Sequence, residues 1–279
     1  MFTNVNLHSY RKLTIGCLAV LAMTGTLAQA QIGLGLAPMR LEFRLAPGQQ
    51  QSGTLNLSND SGAKVRIRSE LLDFFVDSTA TPQFERDLAH EAAYSCRSWL
   101  LVNPMETEAM AASLLPVRFT IRVPEGVKEG SYHCAAGFVT LPPADQVATS
   151  GIRTAVRLVT AFYVVIGNPA INGGLKLIQV EPMTNAARNG PVLQAVVIIE
   201  NRGRMHFRPT GTLTVLDASG HTLETEDFQN LPILPEREQR FLFPLKTDVR
   251  GGGYKLRARV DLGTGEIQEA SATVAPTKP

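Results

Sequence analysis

The chain is 279 residues long, 44% hydrophobic, 19% charged and 6% aromatic, with Gly 23 and Pro 17. At about 150 residues per domain the length fits two domains, and the composition excludes a collagen-like chain, a long coiled coil and a highly charged disordered segment. Lys+Arg 27 against Asp+Glu 25 gives a net charge of +2, which removes the polybasic bias expected of a nucleic-acid partner.

Residues 1–30 read as a signal peptide. Arg11 and Lys12 form a positive start, an apolar stretch runs from Leu13 to Leu27, and Ala28-Gln29-Ala30 is a small-x-small cleavage pattern that places the mature start at Gln31. The stretch is shorter than the ~20 apolar residues that span a bilayer. Later apolar runs are short or interrupted, so no transmembrane anchor is expected. Cys17 follows Thr14-Ile15-Gly16 without the Leu that a lipid-attachment site carries three positions before its cysteine. Cleavage leaves 249 residues with 25 basic and 25 acidic side chains.

From there the pattern is period two, which gives each strand one face toward a core and one toward water. Leu41, Phe43 and Leu45 alternate with Glu42 and Arg44; Leu55 and Leu57 precede the turn Asn59-Asp60-Ser61-Gly62; Val65 and Ile67 alternate with Arg66 and Arg68. Residues 106–115, rich in Ala and Met after Pro104, are the single helical candidate, with a loop as the equal alternative. Val117, Phe119, Ile121 and Val123 form the next strand, Pro124-Glu125-Gly126 turns, and Tyr132, Cys134, Ala136 and Phe138 follow. The longest strand places Val156, Leu158, Thr160, Phe162, Val164 and Ile166 on one side and Arg157, Val159, Ala161, Tyr163 and Val165 on the other. Its second half is apolar on both sides, so it is expected to be covered twice or to cross between domains.

Gly167-Asn168-Pro169 and Asn172-Gly173-Gly174 mark the domain boundary, dividing the mature chain into 31–168 and 169–279. The same alternation returns in the second part, in Leu193, Ala195, Val197 and Ile199; in Leu213 and Val215 before Asp217-Ala218-Ser219-Gly220; in Phe241 and Phe243; and in Leu256, Ala258 and Val260. Regular short strands with turns predict an all-β protein of two β-sandwich domains.

After cleavage two cysteines remain, Cys96 and Cys134. Export favours a bridge between them, closing a loop of about 38 residues worth roughly 4 kcal/mol in the chain-entropy model; two separate buried thiols are the alternative. Trp99 is read as a core residue rather than a ligand contact. His90, His133, His206 and His221 show no ligand spacing, and no nucleophile elbow or phosphate loop occurs. No catalytic residue, metal or cofactor is expected. Arg40 and Arg157 stand out, because a guanidinium among apolar neighbours needs a partner and suits a carboxylate; solvated strand-face positions are the plainer reading.

Ala37-Pro38-Met39-Arg40-Leu41-Glu42-Phe43, Pro47-Gly48, Gly53-Thr54-Leu55-Asn56-Leu57-Ser58-Asn59 and the strand 152–165 with Phe162-Tyr163 carry a resemblance. In these the mature sequence resembles the periplasmic pilus-assembly chaperones of the immunoglobulin-like chaperone–usher class, over most of residues 31–167. The resemblance implies two immunoglobulin-like domains, a periplasmic location and no enzymatic activity. It also implies secreted pilin-like or fibre subunits as clients, bound by donation of a β-strand, and an outer-membrane usher as a further partner. Ile152, Val156 and Leu158 are the donor-strand candidates. Arg40 matches the first of two basic residues that hold the client's terminal carboxylate. The second, a Lys four residues before the Phe-Tyr pair, falls on Leu158; Arg157 is one step away, on the opposite face unless a bulge intervenes. Residues 79–110 form an insertion relative to the family, and Arg202-Gly203-Arg204-Met205-His206-Phe207-Arg208-Pro209 has no counterpart in it. Two other classes stay open: a structural or adhesin-like component of an extracellular fibre, and a secreted carbohydrate-binding sandwich or enzyme.

Overall fold

A computed structural model of the protein describes residues 33–86, 88, 93–142, 155–183 and 192–276. The expected signal peptide, Cys17, His90 and Ile152 lie outside the described residues. Within them the chain is all-β, with seventeen strands and a 3-10 turn at Arg97–Trp99.

The first ten strands are β1 (Leu34–Ala37), β2 (Arg40–Leu45), β3 (Gln50–Asn59), β4 (Val65–Val76), β5 (Pro82–Glu85), β6 (Leu100–Asn103), β7 (Glu106–Ala109), β8 (Ser113–Arg122), β9 (Gly130–Leu141) and β10 (Arg157–Ile166). They form two open sheets, one ordered β1-β3-β8-β6 and one ordered β2-β10-β9-β4-β5 with β7 also on β4. The alternation seen in the sequence decides which face turns inward: Val117, Phe119 and Ile121 of β8 are buried between exposed Arg118 and Arg122. Leu55, Leu57, Ile67, Phe119, Phe138 and Phe162 fill the space between the sheets.

The remaining strands are β11 (Gly173–Met183), β12 (Val192–Asn201), β13 (Thr210–Leu216), β14 (Thr222–Asp227), β15 (Glu238–Pro244), β16 (Lys255–Asp261) and β17 (Ile267–Thr273). Sheets β11-β12-β15 and β14-β13-β16-β17 enclose a second core that includes Val197, Ile199, Phe207, Phe241, Phe243 and Val260. Open sheets stacked face to face are the architecture of immunoglobulin-like sandwiches.

The helical candidate at 106–115 is corrected. Glu106–Ala109 pairs antiparallel with Val65–Arg68 of β4, and Ser113 begins β8. Ala and Met permit helix, but here the free edge of β4 supplies hydrogen bonds that a short isolated helix would have to find alone.

The double apolar character of β10 has a direct cause. Phe162, Val164 and Ile166 enter the first core. On the other face Tyr163 joins Leu72, Phe74 and Ala135 around Leu234 from the second half, forming a third cluster. The strand is thus buried on both sides where it approaches the second half.

Two buried asparagines repeat one device in the two halves. Asn59, at the end of β3, donates to Ala63 O, Ala109 O and Met110 O and accepts from Ser61 N. Asn201, at the end of β12, donates to Met205 O, Ile233 O and Leu234 O and accepts from Gly203 N. Each amide pins its own turn and a loop far away in sequence, adding a donor to carbonyls several of which also accept from a neighbour: Ala63 from Ser61 Oγ, Met110 from Ser113 Oγ, Ile233 from Phe207 N–H and Leu234 from Arg237 N–H. A disulfide joins Cys96 to Cys134 of β9, and Trp99 packs in the core with its ring 4.7 Å from that of Tyr132.

Candidate functional site

The site is the outer face and free edge of the six-stranded sheet. β2 runs parallel to β10, with Arg40 opposite Ala161 and Glu42 opposite Tyr163. β9 lies on the other side, with Arg157 opposite Val139, Val159 opposite Gly137 and Ala161 opposite Ala135. Laterally paired residues share a face, and so do alternate residues along a strand. One face therefore carries Arg40, Glu42, Arg157, Val159, Ala161 and Tyr163, together with Glu70, Leu72 and Phe74 of β4.

The register of β10 against β9 is continuous from Arg157 to Ile166, so no bulge occurs there. Parity alone puts Arg157 on the same face as Arg40, while Leu158 turns to the other side and packs against the first core. Leu158, the position counted from the Phe-Tyr pair, therefore lies on the face opposite Arg40, and Arg157 shares the face of Arg40 without a bulge. Val156, also half-buried, precedes the strand and is tied to Thr140, whose backbone N–H donates to Val156 O and whose hydroxyl accepts from Val156 N. Of the donor-strand candidates, Ile152 is outside the described residues.

Arg40 and Arg157 are not adjacent. They differ by four positions along the paired strands, about 13 Å at 3.3 Å per residue. Arg157 is committed elsewhere: its guanidinium lies 3.4 Å from Glu70 Oε2 and donates to Phe84 O at 3.3 Å. Glu70 is buried, and Arg86 and Arg68 also approach it, at 2.7 and 3.6 Å. Gly137 lies between Glu70 and Val159 in the sheet; a Cβ there would come within 2.8 Å of Leu72 Cδ1. Beside this cluster is a cavity of about 410 Å³ lined by residues that include Arg68, Glu70, Arg86 and Arg97.

Arg40 is half-exposed, and its Nε is 3.5 Å from Glu42 Oε1. It also marks the point where β2 begins to cover β10. The N–H of Ala161 donates to Met39 O, so by alternation the backbone N–H and C=O groups of Arg157 and Val159 point toward the same edge. No strand among the described residues pairs with them there.

The second half closes the far end of this face through residues 202–209. Ser131 N–H donates to Arg204 O at 2.7 Å, and Arg204 Nε donates to Glu129 O at 2.7 Å. A Cβ at Gly130 would sit 3.3 Å from that Nε, so the absence of a side chain leaves room for the arginine. His206 Nδ1 is hydrogen-bonded to Ser131 Oγ, and its ring stacks on Tyr163 with centroids 4.6 Å apart. Burial, with help from Arg208, His133 and Arg40, pushes the His206 imidazole down to about 3, so it is neutral. Arg208 lies over the Tyr163 ring at 4.7 Å and reaches Glu42 Oε1 at 3.4 Å. Tyr94, from the disulfide-held insertion, lies under Arg204 at 5.3 Å; its phenol is pushed up to about 12, first by burial and then by a hydrogen bond with Glu236.

Sequence reasoning singled out Arg40 and Arg157 but not Glu70, His206, Arg208 or Leu234. The one available signal was the run Arg202 to Pro209, basic and aromatic together inside a turn. Among the described residues no group of three or more His, Cys, Asp or Glu side chains could hold a metal ion. No described helix is long and apolar enough to cross a membrane.

No protein-family model and no curated protein matches the sequence. Solved structures do. The class 5 fimbriae chaperone CfaA is 13% identical, with 88% of this chain and 100% of that one covered and a TM-score of 0.46. The YadV chaperone is 12% identical, with coverages of 86% and 98% and a TM-score of 0.46. The Escherichia coli chaperone DraB is 15% identical, with coverages of 87% and 97% and a TM-score of 0.43.

Proposed function

We propose that this protein is a periplasmic, non-enzymatic chaperone that stabilises subunits of a pilus or surface fibre by pairing a β-strand with them. It consists of a signal peptide (1–30) and two immunoglobulin-like domains (31–168 and 169–279). An outer-membrane usher receives the client.

The observation that carries this reading is the uncovered stretch of β10 beside Arg40. The backbone groups of Arg157 and Val159 point to an edge that no described strand occupies, and a half-exposed guanidinium stands where β2 begins. An unpaired edge is a template for another chain, and main-chain pairing gives such complexes their affinity. A strand laid along that stretch and ending at Arg40 occupies the line of β2 upstream of its first residue. A strand that ends there runs in the same direction as β2, parallel to β10, with its terminal carboxylate at Arg40. The clamp then sets register: the carboxylate fixes the end, and the backbone ladder follows from it. A client with an incomplete sandwich is shielded from edge-to-edge aggregation while bound. Release draws on the better-paired structure that the client forms afterwards, so no nucleotide is required.

The test is co-expression with each of the small exported β-rich proteins encoded beside the gene. A soluble one-to-one complex is expected. Loss of a hydrogen-bonded charge pair that is desolvated in the complex costs about 2–5 kcal/mol, so Arg40→Ala should abolish its recovery. Full recovery with Arg40→Ala overturns the clamp. Stoichiometric retention of the protein in purified fibres overturns the chaperone reading in favour of a fibre component.

A further inference from the structure

The geometry around Arg40 offers a second cation that the β10 strand does not supply. Arg157 shares the face, but it lies four residues along the strand and is directed at buried Glu70 and Phe84 O. Arg208, from the second half, is in the right place. Its Nη1 is 3.4 Å from Glu42 Oε1, the same oxygen that lies 3.5 Å from Arg40 Nε. One carboxylate oxygen thus already sits between guanidinia from the two halves of the chain.

The two arginines are held differently. The Arg208 side chain is 16% exposed and its guanidinium rests on the Tyr163 ring, whereas Arg40 is 48% exposed. An ordered guanidinium loses little further freedom when it takes a ligand. The charges do not balance: two cations share Glu42, and among the described residues neither pairs with a second carboxylate. Tyr163 and His206, the titratable groups packed against them, are both uncharged at neutral pH, the phenol raised and the imidazole lowered, each first by burial. The site is one negative charge short.

We infer that Arg208 is the second cation of the carboxylate site, so that the terminal carboxylate of a bound chain is held by guanidinia from both halves. This rests on the carboxylate clamp proposed above. Arg157 is then a structural residue, directed at the buried Glu70 that it shares with Arg68 and Arg86. A carboxylate seated between Arg40 and Arg208 also bridges the two halves, which couples occupancy of the edge to the arrangement of the sandwiches.

The experiment is a titration of the full chain, followed by the arginine Nε–Hε resonances in NMR, with N-acetyl-Val-Val as free acid and as its C-terminal amide. Resonances are assigned with R40K, R157K and R208K. The free acid should move the Arg40 and Arg208 signals along one binding curve and leave Arg157 in place, and the amide should move none of them. R208K, which removes the planar fork, should weaken the acid about fivefold to tenfold. Movement of Arg40 without Arg208, alone or with Arg157, overturns the inference and leaves the clamp standing. Equal response to acid and amide, or no response of Arg40 at all, overturns the clamp with it.

Discussion

Acidification should loosen the junction between the two halves through His206. Its ring is 4% exposed, stacked on Tyr163 and hydrogen-bonded to Ser131, with Arg208 and Arg40 adding positive potential. Its pKa falls to about 3 from 6.5. Below pH 6.5 the unfolded chain takes up a proton that the folded chain refuses. The folded-state value is depressed, so the stability is complete above pH 6.5 and is lost as pH falls toward 3. At about 1.4 kcal/mol per pH unit the loss reaches ~2 kcal/mol at pH 5 and ~4 kcal/mol at pH 3, where the folded ring is itself half protonated. Two measurements check this. The His206 Cε1–Hε1 signal should stay at its neutral position from pH 7 to pH 4. Urea unfolding at pH 7 and pH 5 should show the loss in the unaltered chain, and it should shrink by ~2 kcal/mol in His206→Gln, which cannot titrate. An equal loss in both proteins, or a titration of the His206 signal near pH 6, refutes the reasoning.

Asn201→Ala removes four hydrogen bonds at a buried position and leaves the Ile233 and Leu234 carbonyls only their longer bonds, 3.3 Å each, from the Phe207 and Arg237 N–H groups, so unfolding free energy should drop by about 2 kcal/mol, read as a lower urea midpoint. Asn201→Asp should do no better, because a carboxylate accepts and cannot donate to three carbonyls. Replacing Cys96 and Cys134 together by serine opens the 38-residue loop and should cost ~4 kcal/mol in the chain-entropy account. The same variant should also raise amide exchange around Tyr94, which that bridge holds beside Arg204; unchanged exchange there would show that packing alone keeps the segment in place.

Much of the fold was legible because it depends on local chemistry. Alternation along 117–123 and 132–138 required no knowledge of partners: a side-chain period of two with one apolar face specifies a half-buried strand wherever it pairs. The apolar second half of β10 announced a strand covered on both faces, and Tyr163 under Leu234 is that second cover. Two cysteines had one possible pairing, and they form it. Parity along β10 was present in the sequence too, but its meaning was not: only the register of Ala161 against Arg40 says which parity faces the cation.

Residues 106–115 show where local reading stops, since their conformation follows from the open edge of β4, about forty residues earlier in the chain. Glu70 is 87 residues from Arg157, which lies 3.4 Å from it, and Arg208 is 166 residues from the glutamate it shares with Arg40. The identity of each strand lay in the order of its own side chains, whose faces are set by the backbone repeat. Which arginine meets a buried carboxylate and which stands beside one from the other half of the chain is a property of distances between strands and halves, and folding alone creates those distances.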